Sequence, residues 1–543
     1  MKIKTIFNDG EDINIETYLT KMGIDDINKY LNPSPHVLDS CYVYKNIREC
    51  VNTIKYTILM KSRVCIVCDC DADGICSSFI MYDYLKRCDK GIKVKLLIQD
   101  GKQRGIESDS IRQQIKDFQP DLVIIPDAGT NSAPYEDEIV DICPVVCIDH
   151  HLADDDVAKR FIIVNNTMND LDCNTELSGT GVVFKVLQAV DKERDTKYSN
   201  RYIDLVGLSI VSDCMDIRTY ENRWFVKYIL DKENIINPFI EEMFDTLLGD
   251  TYTQKDIAFK IVPLINSVIR CGSKEEIQKL YFALMGRDIE DTIKMCQKCH
   301  SMQINIVNKW LDKCDTDIQE QSENNITIIT NDGIPKTFSG LLAGKISGLT
   351  NKPCVVGKVI DGEIKGSYRG YVPLGELDKL DSVTYAKGHD FAFGIGIDVT
   401  RVKDFINAVN KMDVGAVRSV LCSYKADKVP KALFSMFADY DDVWGQELPS
   451  PQFYVYDIHV NSSDIRRLGN GTTLKFSTDG YDILFFNISK INKEQFYLEE
   501  SKDLTLNIVG KLGVNVWSGK RTNQIIVEDY EVKLHTNTFD DLM

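Results

Sequence analysis

The chain has 543 residues, a length that suggests three or four domains. With 43% hydrophobic and 27% charged residues it is an ordinary globular sequence, neither disordered nor fibrous. The formal net charge of −18 argues against a generally basic nucleic-acid coat, although it is compatible with a local basic groove.

No apolar run approaches the length of a membrane span, and the opening MKIKTIFNDGEDIN lacks the apolar core of a signal peptide. A soluble, cytoplasmic protein is therefore expected. Of the seventeen cysteines, Cys65, Cys68 and Cys147 lie in apolar runs, where a free thiol behaves as a small hydrophobe. Cys65 and Cys68 have redox-motif spacing, and Cys296, Cys299 and His300 resemble half a zinc knuckle. The first pair sits inside a strand pattern and the second lacks a matching ligand pair, so both read as reduced structural thiols.

Residues 1–60 read as a polar helical extension, with Asn32-Pro33-Ser34-Pro35 as a turn. From 61 to 225 strands alternate with helices. The strand patterns are Arg63–Cys68, Lys93–Ile98, Leu122–Pro126, Val145–Ile148 and Phe161–Val164, with helical stretches such as Ile75–Arg87 and Ser108–Phe118 between them. Short apolar strands alternating with amphipathic helices imply a parallel sheet covered on both faces, whose sites form beyond the carboxyl ends of the strands.

The polar residues fall at those ends. After the first strand, Asp69, Asp71 and Asp73 put three carboxylates within five residues, a costly arrangement unless a cation neutralises them. Asp127 follows the strand Leu122–Pro126. Asp149, His150 and His151 follow Val145–Ile148, and Asp213 follows the apolar stretch Leu205–Val211. Carboxylates with a minority of imidazole suit Mn²⁺ or Mg²⁺ better than structural Zn²⁺.

In order and spacing, DCDADGI, PDAGTNS, CIDHH and VSDCMDI resemble the four motifs of the DHH phosphoesterase family. LVGLSIVSDCMDIRTYENR and PLINSVIR resemble the RecJ branch of single-strand-specific exonucleases, although Ile269 stands where that signature has glycine. Residues 226–325 then read as a helical connector, with a long helix over IEDTIKMCQKCHSMQINIVNKWLDKC. Residues 326–448 begin a second α/β pattern that looks like a DHHA1 substrate-binding domain. Gly366-Ser367-Tyr368-Arg369 matches its GSxR element. Lys387-Gly388-His389 matches its GGH element, with Lys387 in place of the first glycine. Val402–Met412 and Asp413–Leu421 read as helices. From 449 to 543 a run of short strands fits a small barrel, similar to a RecJ OB domain.

The expected fold class is thus α/β: a parallel-sheet DHH domain (61–225), a connector helix, a second α/β DHHA1 domain, and a C-terminal OB-like β-barrel. The resemblance implies two ions held by Asp69, Asp71, Asp73, Asp127, His150 and Asp213. It gives His151 a contact to the scissile phosphate or the leaving oxygen, with Asp149 orienting an imidazole. Ser367, Arg369, Gly388 and His389 would bind phosphate, with Arg270 at a 5′ end and Arg104 or Lys102 joining it. Trp517, Lys511, Lys520 and Arg521 would serve single-strand binding through stacking and charge.

The implied activity is 5′ to 3′ hydrolysis of single-stranded DNA to 5′-mononucleotides, in repair, recombination or a phage's own DNA metabolism. A single-strand-binding protein or a helicase are the partners it admits. The departures at Ile269 and Lys387 suggest a divergent or phage-borne member. Two other readings are a DHH phosphodiesterase for short oligonucleotides or cyclic dinucleotides, and a non-catalytic DHH replication scaffold. The first is usually a compact two-domain protein, and the second generally lacks metal ligands that are all present here.

Overall fold

In the computed structural model of this chain, strand β1 (Lys2–Thr5) runs parallel to Val417–Val420, more than four hundred residues away. The first residues therefore belong with the last ones. Two compact units result, Met1–Ile27 together with Gly415–Met543, and Asn28–Val414. The described residues are 1–8, 10–99, 104–412, 414, 417–469, 471–478, 480–486, 488, 493–517 and 519–534. The side chains of His389, Val417 and Trp517 lie outside that description, as does the whole of Lys102.

The segment expected as one helical extension over 1–60 is thus divided. Its helix Ile15–Lys21 lies in the terminal unit, where the Tyr18 hydroxyl donates to the Pro449 carbonyl at 2.8 Å. Its helix Ile47–Met60 lies in the other. A polar stretch with one short strand gives no sequence signal of which sheet edge it will join.

The larger unit opens with a five-stranded sheet of β2 (Arg63–Cys68), β3 (Lys93–Ile98), β4 (Leu122–Pro126), β5 (Val145–Asp149) and β6 (Ile162–Asn165). All neighbours are parallel, in the order β3-β2-β4-β5-β6. Helices cover both faces, which explains why these strands are nearly continuous apolar runs and do not alternate. The chain leaves β2 toward β3 on one side and returns to β4 on the other. The crevice at this reversal, beyond the ends of β2 and β4, is where such sheets place a ligand.

A 32-residue helix, Ile289–Glu320, then spans about 48 Å at 1.5 Å per residue. It leads to a second sheet of β7 (Thr327–Thr330), β8 (Cys354–Ile360), β9 (Glu363–Arg369), β10 (Val383–His389) and β11 (Ala392–Asp398), in the order β10-β11-β9-β8-β7. Only β7 and β8 are parallel. Lys387 fits β10 without disruption, opposite Gly394. The special backbone falls instead on Gly388, at φ 140°, where a Cβ would come within 2.9 Å of Phe393.

The terminal unit holds β12 (Val417–Val420), β13 (Ser423–Lys425), β14 (Phe453–Asn461), β15 (Arg466–Leu468), β16 (Thr473–Ser477), β17 (Asp482–Phe485), β18 (Asp503–Trp517) and β19 (Lys520–Leu534). Seven of these form one sheet, β13-β14-β18-β19-β17-β16-β15. Two expectations change here. Val417–Val420 is a strand where a helix was expected, because β1 supplies a partner remote in sequence. Residues from Gly415 belong to this unit, so the second α/β domain ends near Val414 and not at 448. All seventeen cysteines are free, and Cys65, Cys68, Cys147, Cys296 and Cys299 are buried. Among the described residues no helix is long and apolar enough to cross a membrane.

Candidate active site

The site begins where β2 runs out. Asp69 is buried, and Asp71 caps the helix Ala72–Cys88 by accepting from the Gly74 amide at 2.9 Å. The turn is tight enough that a Cβ on Gly74 would come within 2.7 Å of the Asp69 carbonyl carbon. Asp73, 1% exposed, faces inward and accepts from the amides of Gly179 and Thr180, each at 2.8 Å, and from the Thr180 hydroxyl. Those donors are the first turn of the helix Gly179–Arg194, capped by Ser178. Asn266 accepts from the Ala72 amide at 3.0 Å, so the helix Val262–Cys271 also fixes the loop.

Asp127 follows β4 at φ 63°, held by its own amide on the Ile148 carbonyl at 2.7 Å. Asp149 ends β5 and accepts from the amides of Thr130, His150 and His151 and from His151 Nδ1 at 2.8 Å. Asp213 arrives on the C-cap of the helix Ile203–Ser212 and not from the sheet. Asn222 Nδ2 ties the carbonyls of Glu176 and Asp216, joining the loop after Asp213 to the loop before Gly179.

Three sets of possible ligands have atoms all within 4.8 Å of one another: Asp69, Asp71 and Asp127; Asp127, His150 and His151; and Asp73, His150 and Asp213. Asp127 and His150 each belong to two sets. His150 Nε2 lies 3.3 Å from Asp127 Oδ1 and 3.4 Å from Asp213 Oδ2. Asp127 Oδ1 is buried and has no hydrogen-bond partner among the described residues. These spacings are long for hydrogen bonds but fit donors sharing an ion: neighbours about 2.1 Å from an octahedral centre stand about 3 Å apart. A buried acceptor without a donor beside an imidazole and other carboxylates is the chemistry of a divalent-cation cradle. The residues present therefore fit one.

His151 Nδ1 faces Asp149, and its Nε2 lies 2.8 Å from the Arg104 guanidinium. Since the guanidinium only donates, this geometry makes Nε2 the acceptor and puts the ring proton on Nδ1. Arg104, expected near a terminal phosphate, thus sits on His151, close to the charges of Asp69, Asp71 and Asp127.

Burial, and after it the charge of Asp71, pushes Asp69 up to about 7 and Asp73 up to about 6. Burial and the neighbouring carboxylates raise Asp127 and Asp213 well above the usual range. Asp149 goes the other way: burial raises it, but the bond and charge of His151 outweigh this and hold it well below. A raised carboxyl pKa means the folded, metal-free protein keeps protons that the unfolded chain has released. Stability in chelator should therefore fall as pH rises from about 4 toward 7, losing several degrees of melting temperature between pH 5.5 and 8. Mn²⁺ should restore it, most strongly at pH 8; thermal melts at both pH values with and without the ion check this.

A Cβ on Gly179 would stand 2.2 Å from Asp127 Oδ1. Gly179→Ala should displace that carboxylate and cost on the order of 10²-fold in turnover, as ångström-scale misplacement does. Melting temperature in chelator serves as the control for folding.

A second polar feature lies where the helix Val262–Cys271, the long helix and the second sheet meet. A cavity of about 570 Å³ is lined by Arg270, Gln303, Asn308, Thr337, Lys345 and Arg369, among others. Arg369 extends over Gly340, where a Cβ would meet its guanidinium at 2.8 Å, and Ser367 Oγ bonds Ser339 Oγ at 2.8 Å. Burial lowers the pKa of both arginines, and Arg270 lowers that of Arg369 further, so two cations face one space. Gln303, Asn308, Thr337 and Lys345 escaped the sequence reading because they lie on helices and a turn whose patterns show only packing.

Lys387 approaches Asp154 at 3.6 Å, just beyond His151, as an exposed pair of small energetic weight. In the terminal unit Lys511 pairs with Glu528 at 4.0 Å, while Lys520 and Arg521 are exposed at the start of β19.

The acidic and imidazole cradle thus lies at the strand-order reversal of a parallel sheet. Residues 63–210 match the model of the DHH family's N-terminal domain, and residues 425–529 match that of the RecJ OB domain. Over almost its whole length the chain is similar to YorK of Bacillus phage SPbeta and of the SPbeta prophage in Bacillus subtilis, whose name describes a single-strand DNA-specific exonuclease. Identity is 27% over 561 residues, covering 95% of this chain and 96% of YorK. It is 21% identical to the single-stranded-DNA-specific exonuclease RecJ of Bacillus subtilis, covering 90% of this chain but only 64% of that protein. The crystal structure of Thermus thermophilus RecJ in complex with Mn²⁺ shares the fold. The TM-score is 0.73 at 19% identity, over 93% of this chain and 74% of that one.

Proposed function

We propose that this chain is a metal-dependent, single-strand-specific exodeoxyribonuclease that works from a 5′ end and releases 5′-mononucleotides. The observation that carries the reading is the cradle itself: Asp69, Asp71, Asp73, Asp127, His150 and Asp213 converge around Asp127 Oδ1, a buried acceptor with no hydrogen-bond partner among the described residues. These residues would hold two Mn²⁺ or Mg²⁺ ions, the ions with which structures of RecJ have been solved. Such ions supply an acidified water and positive charge for an in-line displacement at phosphorus.

The protein's own groups do the rest. Arg270, Arg369 and Ser367 take the terminal phosphate, and the guanidiniums give it paired, charge-assisted hydrogen bonds. This places the next phosphodiester at the cradle. Water adds to that phosphorus, the bond to the 3′-oxygen of the terminal nucleotide breaks, and the leaving oxygen takes a proton. The shortened strand then begins with a new 5′-phosphate, ready for the same pocket. His151, steadied by Asp149, contacts the scissile phosphate or supplies the leaving oxygen's proton.

The test is incubation with Mn²⁺ or Mg²⁺ of long single strands labelled at either end, beside duplex, RNA and dinucleotide controls. A 5′ label should appear as mononucleotide from the earliest times, with the duplex spared. Cleavage of dinucleotides while long single strands stay untouched would make the reading wrong.

A further inference from the structure

We infer that Asn165, the last residue of β6, is a positioning residue for His151: its side-chain amide fixes where that imidazole stands at the reacting phosphate. The inference rests on the exonuclease reading for the role of His151. It adds a residue that lies outside every motif quoted above.

Asn165 is 1% exposed and pairs with Asp149 in the ladder between β5 and β6. Its side chain uses both lone pairs and both N–H groups. Oδ1 accepts from the amide and from the hydroxyl of Thr167, each at 2.8 Å. Nδ2 donates to the His151 carbonyl at 2.9 Å and to Thr130 Oγ1 at 3.0 Å. The partners fix which way the amide faces. The Thr167 amide can only donate and the His151 carbonyl can only accept, so a flipped side chain would lose both contacts.

The two accepted bonds are ordinary. Asn165 caps the short turn Asn166–Met168, a task that Ser, Thr or Asp performs as well. The pair of donors is what asparagine alone supplies among these caps, and both donors lead to the same assembly. The Thr130 amide holds Asp149 Oδ2 at 3.0 Å, and Asp149 Oδ1 lies 2.8 Å from His151 Nδ1. Asn165 thus grips the Asp149–His151 pair from both ends, through the backbone of the histidine and through the threonine behind its carboxylate.

Thr167 Oγ1 lies 3.2 Å from the same His151 carbonyl and reinforces the grip. With the carbonyl and Nδ1 both held, the ring keeps the orientation in which Nε2 meets Arg104. None of the Asn165 bonds reaches the side chain of a proposed ion ligand, so its loss should leave metal binding intact while His151 wanders.

The test is a double-mutant cycle on the full-length protein. Asn165→Asp keeps the size and the cap and removes the donors. Its kcat should fall about 10–100-fold, the loss typical of an outer partner of a site group, with KM within about twofold of wild type. The Mn²⁺-induced rise in melting temperature should be unchanged. In the His151→Ala background, followed by single-turnover cleavage with enzyme in excess, Asn165→Asp should cost less than about twofold more, because groups that act through one another do not add. Thr167→Val gives a milder form of the same test, which stands if Asn165→Asp melts early in chelator. It should lose about two- to tenfold, again only where His151 is present, and Thr167→Ser should restore the rate.

A wild-type rate for Asn165→Asp overturns the inference. So does an equal loss with and without His151, or a lost Mn²⁺ response, since either means that Asn165 serves the fold or the ion cradle. Failure of the exonuclease reading would appear separately, as wild-type protein that leaves long end-labelled strands intact; the cycle is then run on the dinucleotide it cleaves.

Discussion

Asp127→Asn should lower turnover by more than about 10³-fold, beyond the 10–100-fold typical of losing an outer partner of a metal ligand, while leaving the metal-free fold intact. Burial and four neighbouring carboxylates raise the Asp127 pKa well above its ordinary value, which favours the neutral acid when no ion is bound. An amide replaces that neutral acid with little change of shape or charge, and the melting temperature in chelator should hardly move. What disappears is the negative oxygen that two of the three ligand sets share. The Mn²⁺-induced rise in melting temperature should therefore vanish, because an ion that binds only the folded state stabilises it in proportion to its affinity. Asparagine is the informative substitution because residue 127 has φ 63°, which Asn tolerates and Ala does not without strain. Melts with and without Mn²⁺, beside single-turnover rates on labelled strands, separate the two effects. Unimpaired turnover would remove the site as drawn.

The aspartates could be read from the chain because each lies just past an apolar strand, where the change from buried run to carboxylate is visible in a few residues. Asp69, Asp71, Asp73 and Asp127 announce themselves in that way, as do Asp149, His150 and His151. What holds them was hidden. The amides on Asp73 come from Gly179 and Thr180, and although Ser178-Gly179-Thr180 reads as a helix start, nothing local says which carboxylate its free amides will meet. Asn266 stood inside a quoted motif, but its bond to the Ala72 amide needs the helix docked. Arg104 was expected beside Arg270, and charge alone cannot show that its guanidinium reaches His151. The same limit applies to β1, whose partner is set by the tertiary fold and not by its own four residues. Local transitions in polarity survive as sequence signals. Contacts closed over a hundred residues do not.

The pair Arg270 and Arg369 supports the second large effect. Replacing both with alanine should cost about 10³-fold in kcat/KM on a 5′-phosphorylated single strand, since each hydrogen bond to a charged group is worth about 1.5–3 kcal/mol. On a strand with a 5′-hydroxyl the loss should be far smaller, because the pocket then has no dianion to hold. The electrostatics sharpen this expectation. Both guanidiniums are partly buried and the charge of Arg270 weakens the hold of Arg369 on its proton, yet arginine stays charged, so the pocket stores repulsion that an anion relieves. Inorganic phosphate should accordingly raise the melting temperature of the wild-type protein and not that of the double variant. Arg369→Lys should recover only part of the loss, because an ammonium keeps the charge but not the two-pronged geometry over Gly340. The comparison of 5′-phosphate with 5′-hydroxyl ends is the deciding measurement. If both ends lose equally in the double variant, the arginines serve the general run of the strand, and the direction of degradation must be set elsewhere.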